Sequence, residues 1–203
     1  MSANSVVEIT QAGPERLPVL ADLLGRAFVV EPMMRWSLGL QGDVKERFVR
    51  CFEYFLESVI AAGTVWEAGQ ALGATAWIAP GEMDVWRDAQ LTETRMHELT
   101  DDGPRYDAFW AWVDARAPDQ PLWFLDSVGV APQARGRGIG GALIRSGLER
   151  ARADGVDAFL ETGNPRNVPI YEHLGFRVVE AADAPDGGPR VWFMRWSPGI
   201  LTA

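Results

Sequence analysis

The sequence predicts a mixed α/β domain, in which helices flank a mostly antiparallel sheet. Three observations predict it. Patterned segments follow the order β-α-α-β-β-(helices)-β-α-β-α-β-β along the chain. A strand–helix–strand crossover between positions 122 and 162 requires two locally parallel strands, whereas the shorter connections elsewhere give antiparallel neighbours. Finally, 203 residues, 47% of them hydrophobic and 23% charged, suit a single domain over 1–203, which can bury roughly 70% of its unfolded surface without disulfides or metal.

The elements follow in order. Val6–Thr10 alternates as a short strand. Glu15–Val29 carries Leu17, Leu20, Leu23, Leu24 and Phe28 at helical spacing. Pro18 is tolerated only in that helix's first turn, and Pro32 is expected to end it. Asp43 is the expected N-cap of a second helix, whose stripe Val44, Phe48, Cys51, Phe52, Phe55, Leu56 and Val59 ends at Gly63. Thr64–Glu67 and Ala71–Ile78 read as strands of a hairpin turning at Ala68-Gly69-Gln70. Residues 84–117 are helical in pattern but uneven, a candidate helical segment on the substrate side. Leu122–Val130 is a strand, Ile139–Ala153 a helix, Ala158–Thr162 a strand and Val168–Leu174 a short helix. Strands at Phe176–Val179 and Arg190–Trp196 close the chain.

Composition removes several functions. Cys51 is the only cysteine and lies in an apolar stripe, so no disulfide framework or thiolate metal site is available and a buried thiol is expected. Two histidines, His97 and His173, read as surface residues and make no metal centre. A net charge of −9 opposes nucleic acid and anionic membranes and favours a small cationic partner. No leader-like or membrane-length apolar run is present, so a cytoplasmic protein, monomer or homodimer, is expected.

The strongest local signal is Val128-Gly129-Val130-Ala131-Pro132-Gln133-Ala134-Arg135-Gly136-Arg137-Gly138-Ile139-Gly140-Gly141, a strand that turns through glycines into a helix. Helix starts expose unpaired N–H groups and a positive dipole end, and glycines let a phosphate approach them. Arg135 and Arg137 add charged donors. No Gly-Lys-Ser/Thr follows, which removes the P-loop. The spacing Gly136-x-Gly138-x-x-Gly141 fits a dinucleotide fingerprint, but the repeated parallel strands of that fold are missing. Glycines serving only tight packing are the bland alternative.

Arg135-x-x-Gly138-x-Gly140 after Val-Gly-Val-x-Pro resembles the acyl-CoA pyrophosphate turn of the GNAT superfamily of N-acetyltransferases, and the element order resembles that fold. A second, distant stretch agrees in order and spacing: Phe159-Leu160-Glu161-Thr162, then Pro165-Arg166-Asn167-Val168-Pro169-Ile170-Tyr171-Glu172, then Gly175-Phe176. With Trp123-Phe124-Leu125, these landmarks make the second half most similar to the puromycin N-acetyltransferases within the superfamily, over a little more than a third of the chain.

The resemblance implies acetyl-CoA as cofactor and a splayed parallel strand pair at its site. The pantetheine would lie along Val128, Gly129 and Val130, and the pyrophosphate on Arg135, Gly136, Arg137, Gly138, Ile139, Gly140 and Gly141. Gly129 suits a bulge or a close backbone approach. Asn164 and Asn167 are further cofactor candidates, although Pro169 also puts Asn167 at the N-cap of the short helix, where capping alone would explain it. Tyr171 is implied as the acid that protonates the leaving thiolate. For the base that deprotonates the amine, Glu161 at the end of its strand is favoured, with Glu31 and Asp126 as the other candidates. Trp36, Trp86, Trp110 and Trp112 are candidates to line a pocket for a flat or cationic acceptor. The implied activity is acetyl transfer to a small, cationic primary amine, including antibiotics such as a puromycin-like aminonucleoside, by direct attack in a ternary complex. A peptide or protein N-terminus as acceptor, and an acyl-CoA sensor without turnover, are the alternatives.

Overall fold

A computed structural model describes residues 7–39, 44–83 and 94–199. Seven strands form one sheet: β1 (Ile9–Gln11), β2 (Val65–Ala68), β3 (Gly73–Ile78), β4 (Trp123–Val130), β5 (Ala158–Thr162), β6 (Arg177–Asp183) and β7 (Arg190–Trp196), in the spatial order β1-β2-β3-β4-β5-β7-β6. All neighbours are antiparallel except β4 and β5. The connection between those two carries the helix α6 (Ile139–Asp154), as the crossover required.

Side chains alternate across the sheet, and both faces are covered, so the inner strands are apolar throughout rather than every second residue. Ala74, Ala76, Phe124, Phe159 and Phe193 face α1 (Leu17–Phe28) and α3 (Lys45–Ala61), where Leu20, Leu24, Phe48 and Phe52 meet them. Trp77, Leu125, Leu160 and Met194 face α6 through Leu143 and Leu148. α6 packs so tightly there that a Cβ on Gly147 would lie 2.1 Å from the Trp77 ring.

Several boundaries differ from the sequence reading. The first strand begins at Ile9 and runs to Gln11. Pro18 does fall in the first turn of α1, but Pro32 ends nothing. It opens a six-residue helix, α2 (Pro32–Ser37), because proline at a first helical position loses only an N–H that has no acceptor there. The β2–β3 turn is displaced to positions 69–72, and β6 continues to Asp183. Asp43, the expected cap of α3, and Trp86 lie outside the described residues, where Val44 is the residue before α3. Within 94–117 the chain forms α4 (Thr94–Leu99) and α5 (Gly103–Asp114), the latter capped by Asp102, which accepts from Arg105 N–H. The short helix α7 (Val168–His173) precedes β6.

Two features of β4 position the site. It pairs with β5 only at Trp123↔Ala158 and Phe124↔Phe159, so from Leu125 onward the two strands part. Against β3 the register jumps from Trp77↔Leu125 to Ala76↔Ser127, which leaves Asp126 as the extra residue of a β-bulge. The bulge therefore lies at Asp126, not at Gly129. Gly129 admits another close neighbour: a Cβ there would sit 2.8 Å from Leu24 Cδ2 and 3.0 Å from Ala27 Cβ, so the glycine makes room for α1.

Candidate active site

The gap between the parting strands opens into a cleft of about 590 Å³. Every predicted catalytic and cofactor-binding residue except Arg137 lines it; Arg137 is exposed beside it. The cleft has two chemically different ends.

At one end β4 turns into α6. Gly136 and Gly138 hold φ of +75° and +76°, the left-handed region, and a Cβ on either would meet nothing within 4 Å. These glycines are required by backbone shape and leave open space above the turn. Ala142 N–H donates to Gly138 C=O at 3.1 Å, the first α-helical bond, so the N–H groups ahead of it have no acceptor within the helix. Arg135 Nε donates to Val130 C=O at 3.2 Å, which tethers the exposed guanidinium over the turn. Ala131 N–H bonds back to Leu72 on the β3 side; by strand alternation the backbone groups of Val128 and Val130 then face the gap. An anion-bearing thioester fits these residues: donors and space at the turn, and a strand edge free to pair along the gap.

At the other end lie three carboxylates and a phenol. Glu31 caps α2: its Oε2 accepts from Met34 N–H at 2.8 Å, whereas its buried Oε1 has no hydrogen-bond partner among the described residues. Gly163 makes this approach possible, since a Cβ there would sit 2.7 Å from Met33 Cγ and 3.1 Å from Glu31 Oε1. Burial pushes the Glu31 carboxyl up to about 7, against the backbone N–H groups that bond to it. Asp126, at the bulge, is likewise pushed up to about 6 by burial, the neighbouring Ser127 hydroxyl acting in the opposite direction. Tyr171 is buried with its ring edge-on to Phe176, centroids 6.0 Å apart. Its phenol is held well above its ordinary value, first by burial and then by the charges of Glu31 and Glu161. Glu161 projects from β5 opposite Phe193.

The two asparagines organise the loop before α7 around a residue that sequence reading passed over. Thr162 Oγ1 accepts from Asn164 N–H at 3.2 Å and from Asn167 Nδ2 at 3.4 Å. Asn164 Oδ1 in turn accepts from Arg166 N–H. Asn167 occupies the N-cap position but its side chain makes no capping bond, so capping does not account for it. Of the tryptophan candidates, Trp110 lines the cleft; Trp36 packs on Phe109, and Trp112 lies beneath the Arg116 guanidinium at 4.0 Å. The remaining wall comes from Phe28, Met33, Met34, Phe52, Phe55 and Tyr106. Most of these belong to stripes that read as core, and nothing local marks them as lining a cavity.

His97 pairs with Asp107 at the surface, Nε2 to Oδ1 2.8 Å, and Cys51 is buried with its thiol pushed up to about 12 by that burial. Among the described residues no group of His, Cys, Asp or Glu could hold a metal ion, and no helix is long and apolar enough to cross a membrane.

A strand pair that parts over a glycine-opened helix start leaves a cleft with open space and backbone donors at one end. Residues 80–176 match the model of the acetyltransferase (GNAT) family. That match takes in just under half of the chain and, with the mixed sheet and its β4–β5 parallel pair, makes the chain similar to the acetyltransferases of that family. The chain is 29% identical over 143 residues to an uncharacterised N-acetyltransferase of Schizosaccharomyces pombe, covering 65% of this chain and 58% of that protein. It is 41% identical over 73 residues to the mycothiol acetyltransferase of Corynebacterium glutamicum, covering 34% of this chain and 24% of that one. The matches thus span between a quarter and rather more than half the length of these relatives. Among solved structures, a Corynebacterium glutamicum protein described as histone acetyltransferase HPA2 and related acetyltransferase superposes with a TM-score of 0.73 at 24% identity, covering 97% of this chain and 99% of that one. An agmatine N-acetyltransferase does so with 0.67 at 15%, covering 94% and 99%. These two likenesses establish the fold alone.

Proposed function

We propose that this protein transfers an acetyl group from acetyl-CoA to the primary amine of a small cationic molecule, by direct attack in a ternary complex. The observation that carries this reading is the single cleft joining the Arg135–Gly141 turn to Glu31 and Tyr171. Acetyl-CoA supplies the activated acyl group as a thioester. The turn would hold the pyrophosphate, and the gap-facing N–H groups of Val128 and Val130 would polarise the carbonyl under attack.

An alkylammonium must lose a proton before it attacks. With its carboxyl pushed up to about 7, Glu31 is part ionised at neutral pH and is placed to take that proton. Tyr171 stays protonated until the thiolate leaves, and then donates. The two steps are coupled: the charge on Glu31 helps hold the Tyr171 proton, so protonating Glu31 eases its release when the thiolate needs it. Glu161 contributes to the same hold.

The acceptor's charge follows from the lining. Glu31, Asp114, Asp126 and Glu161 border the cleft, and the only basic residue lining it, among the described residues, is Arg135 at the turn. Agmatine, puromycin and other amine-bearing antibiotics belong to this class, as does an amine related to mycothiol. Release of free thiol from acetyl-CoA with a panel of such amines tests the proposal. Turnover with a cationic amine is expected. Thermal stabilisation by acetyl-CoA with no thiol released for any amine would make the protein a sensor instead.

A further inference from the structure

Asp126 and Ser127 are consecutive on β4, and side chains of consecutive strand residues ordinarily point to opposite faces. The bulge at Asp126 cancels that alternation, and both residues line the cleft. Ser127 is 3% exposed, and its hydroxyl acts as a donor toward the Asp126 carboxyl, which leaves its own lone pairs open to a donor in the cleft. The Asp126 carboxyl is withdrawn from water beside it, and no lysine or arginine lines this end. Tyr106 and Trp110 line the same cleft, and the buried Trp110 Nε1 has no hydrogen-bond partner among the described residues. The Tyr106 phenol is held up by burial and then by a set of neighbours that includes Asp114 and Asp126, which puts these acids around one ring.

Resting on the acetyl-transfer reading, we infer that Asp126 and Ser127 form a subsite for a second cationic group on the acceptor, so that the preferred substrates are diamines or amino-guanidines rather than monoamines. The reacting amine goes to Glu31. The distal cation sits against Asp126, donates to Ser127 Oγ, and gains cation–π attraction from Tyr106 and Trp110. The bulge is the device that makes the subsite, because an unbulged strand would turn one of the two side chains away.

The test compares kcat and KM for a linear diamine and for the monoamine of equal chain length. Wild type should prefer the diamine at least ~30-fold in kcat/KM, chiefly through KM, since losing one partner of a desolvated charge pair costs about 2 kcal/mol or more. Asp126→Asn should collapse that ratio toward one, and Ser127→Ala should reduce it by a smaller factor. Acetyl-CoA-induced stabilisation confirms that each variant is folded; if Asp126→Asn is not, Ser127→Ala and Asp126→Glu carry the test. Equal preference in wild type overturns the inference, as does an Asp126→Asn defect that falls equally on kcat for both amines, which would make Asp126 a base. No turnover with either amine would instead sink the acetyl-transfer reading.

Discussion

The two ends of the cleft are built on opposite principles. The cofactor end is a contiguous turn, exposed, cationic and shaped by left-handed glycines with empty space around them. The acceptor end is assembled from α2, the β4 bulge, β5 and α7; it is acidic, and the carboxyls of Glu31 and Asp126 are forced toward neutrality by burial. The first works by backbone geometry and the second by desolvation. Substitutions at the first should therefore act on binding, and at the second on rate, specificity and pH dependence.

Gly138→Asp gives the largest expected effect. It forces a side chain into a φ of +76° and sets a negative charge on the donors meant for phosphate. Acetyl-CoA binding by calorimetry should become undetectable. Residual tight binding would move the cofactor elsewhere.

Glu31→Gln keeps an oxygen to cap α2 but removes the titrating group. We expect kcat to fall ~100-fold, within the range for a general base, and the acidic limb of the kcat/KM profile near pH 7 to disappear. Stability carries its own signature. The folded Glu31 carboxyl is raised above its ordinary value, so between about 4.5 and about 7 the folded state binds more protons than the unfolded state. Wild-type stability should fall as pH rises through that window, and the variant should flatten the slope, as read by Tm against pH.

Gly129→Ala separates packing from ligand contact. Its Cβ would press on Leu24 and Ala27, so a loss of about 1–3 kcal/mol in denaturant unfolding is expected, with acetyl-CoA affinity changing less than the stability does. Asn167→Ala is the mildest: with no capping bond to lose, stability should change by less than ~0.5 kcal/mol, and acetyl-CoA affinity should weaken only a few-fold.

The same contrast explains what could be read in advance. The turn between β4 and α6 is local, so its glycines and arginines announce it within a few positions, and β5 and β7 fall where their apolar runs end. The acceptor end depends on register and on approach from distant elements. Asp126 becomes a cleft residue only because β4 slips by one against β3. Glu31 was visible as a lone acid before Pro32, yet Pro32 read as a helix stop. An acid followed by proline is also a helix start, and that signal was available in Glu31-Pro32. Phe28, Phe52 and Phe55 follow core spacing and happen to border a void. Thr162 and Ser127 carry no local mark; their roles come from what surrounds them.

Central to the account is the proposed transfer of a proton from Tyr171 within the cleft assigned to acetyl-CoA. The most direct measurement sets kcat and the acetyl-CoA Kd of Tyr171→Phe beside those of wild type, using whichever amine turns over best. A kcat lowered ~100-fold or more with Kd changed less than ~3-fold is the predicted result. An unchanged kcat, or a loss explained wholly by Kd, would contradict it.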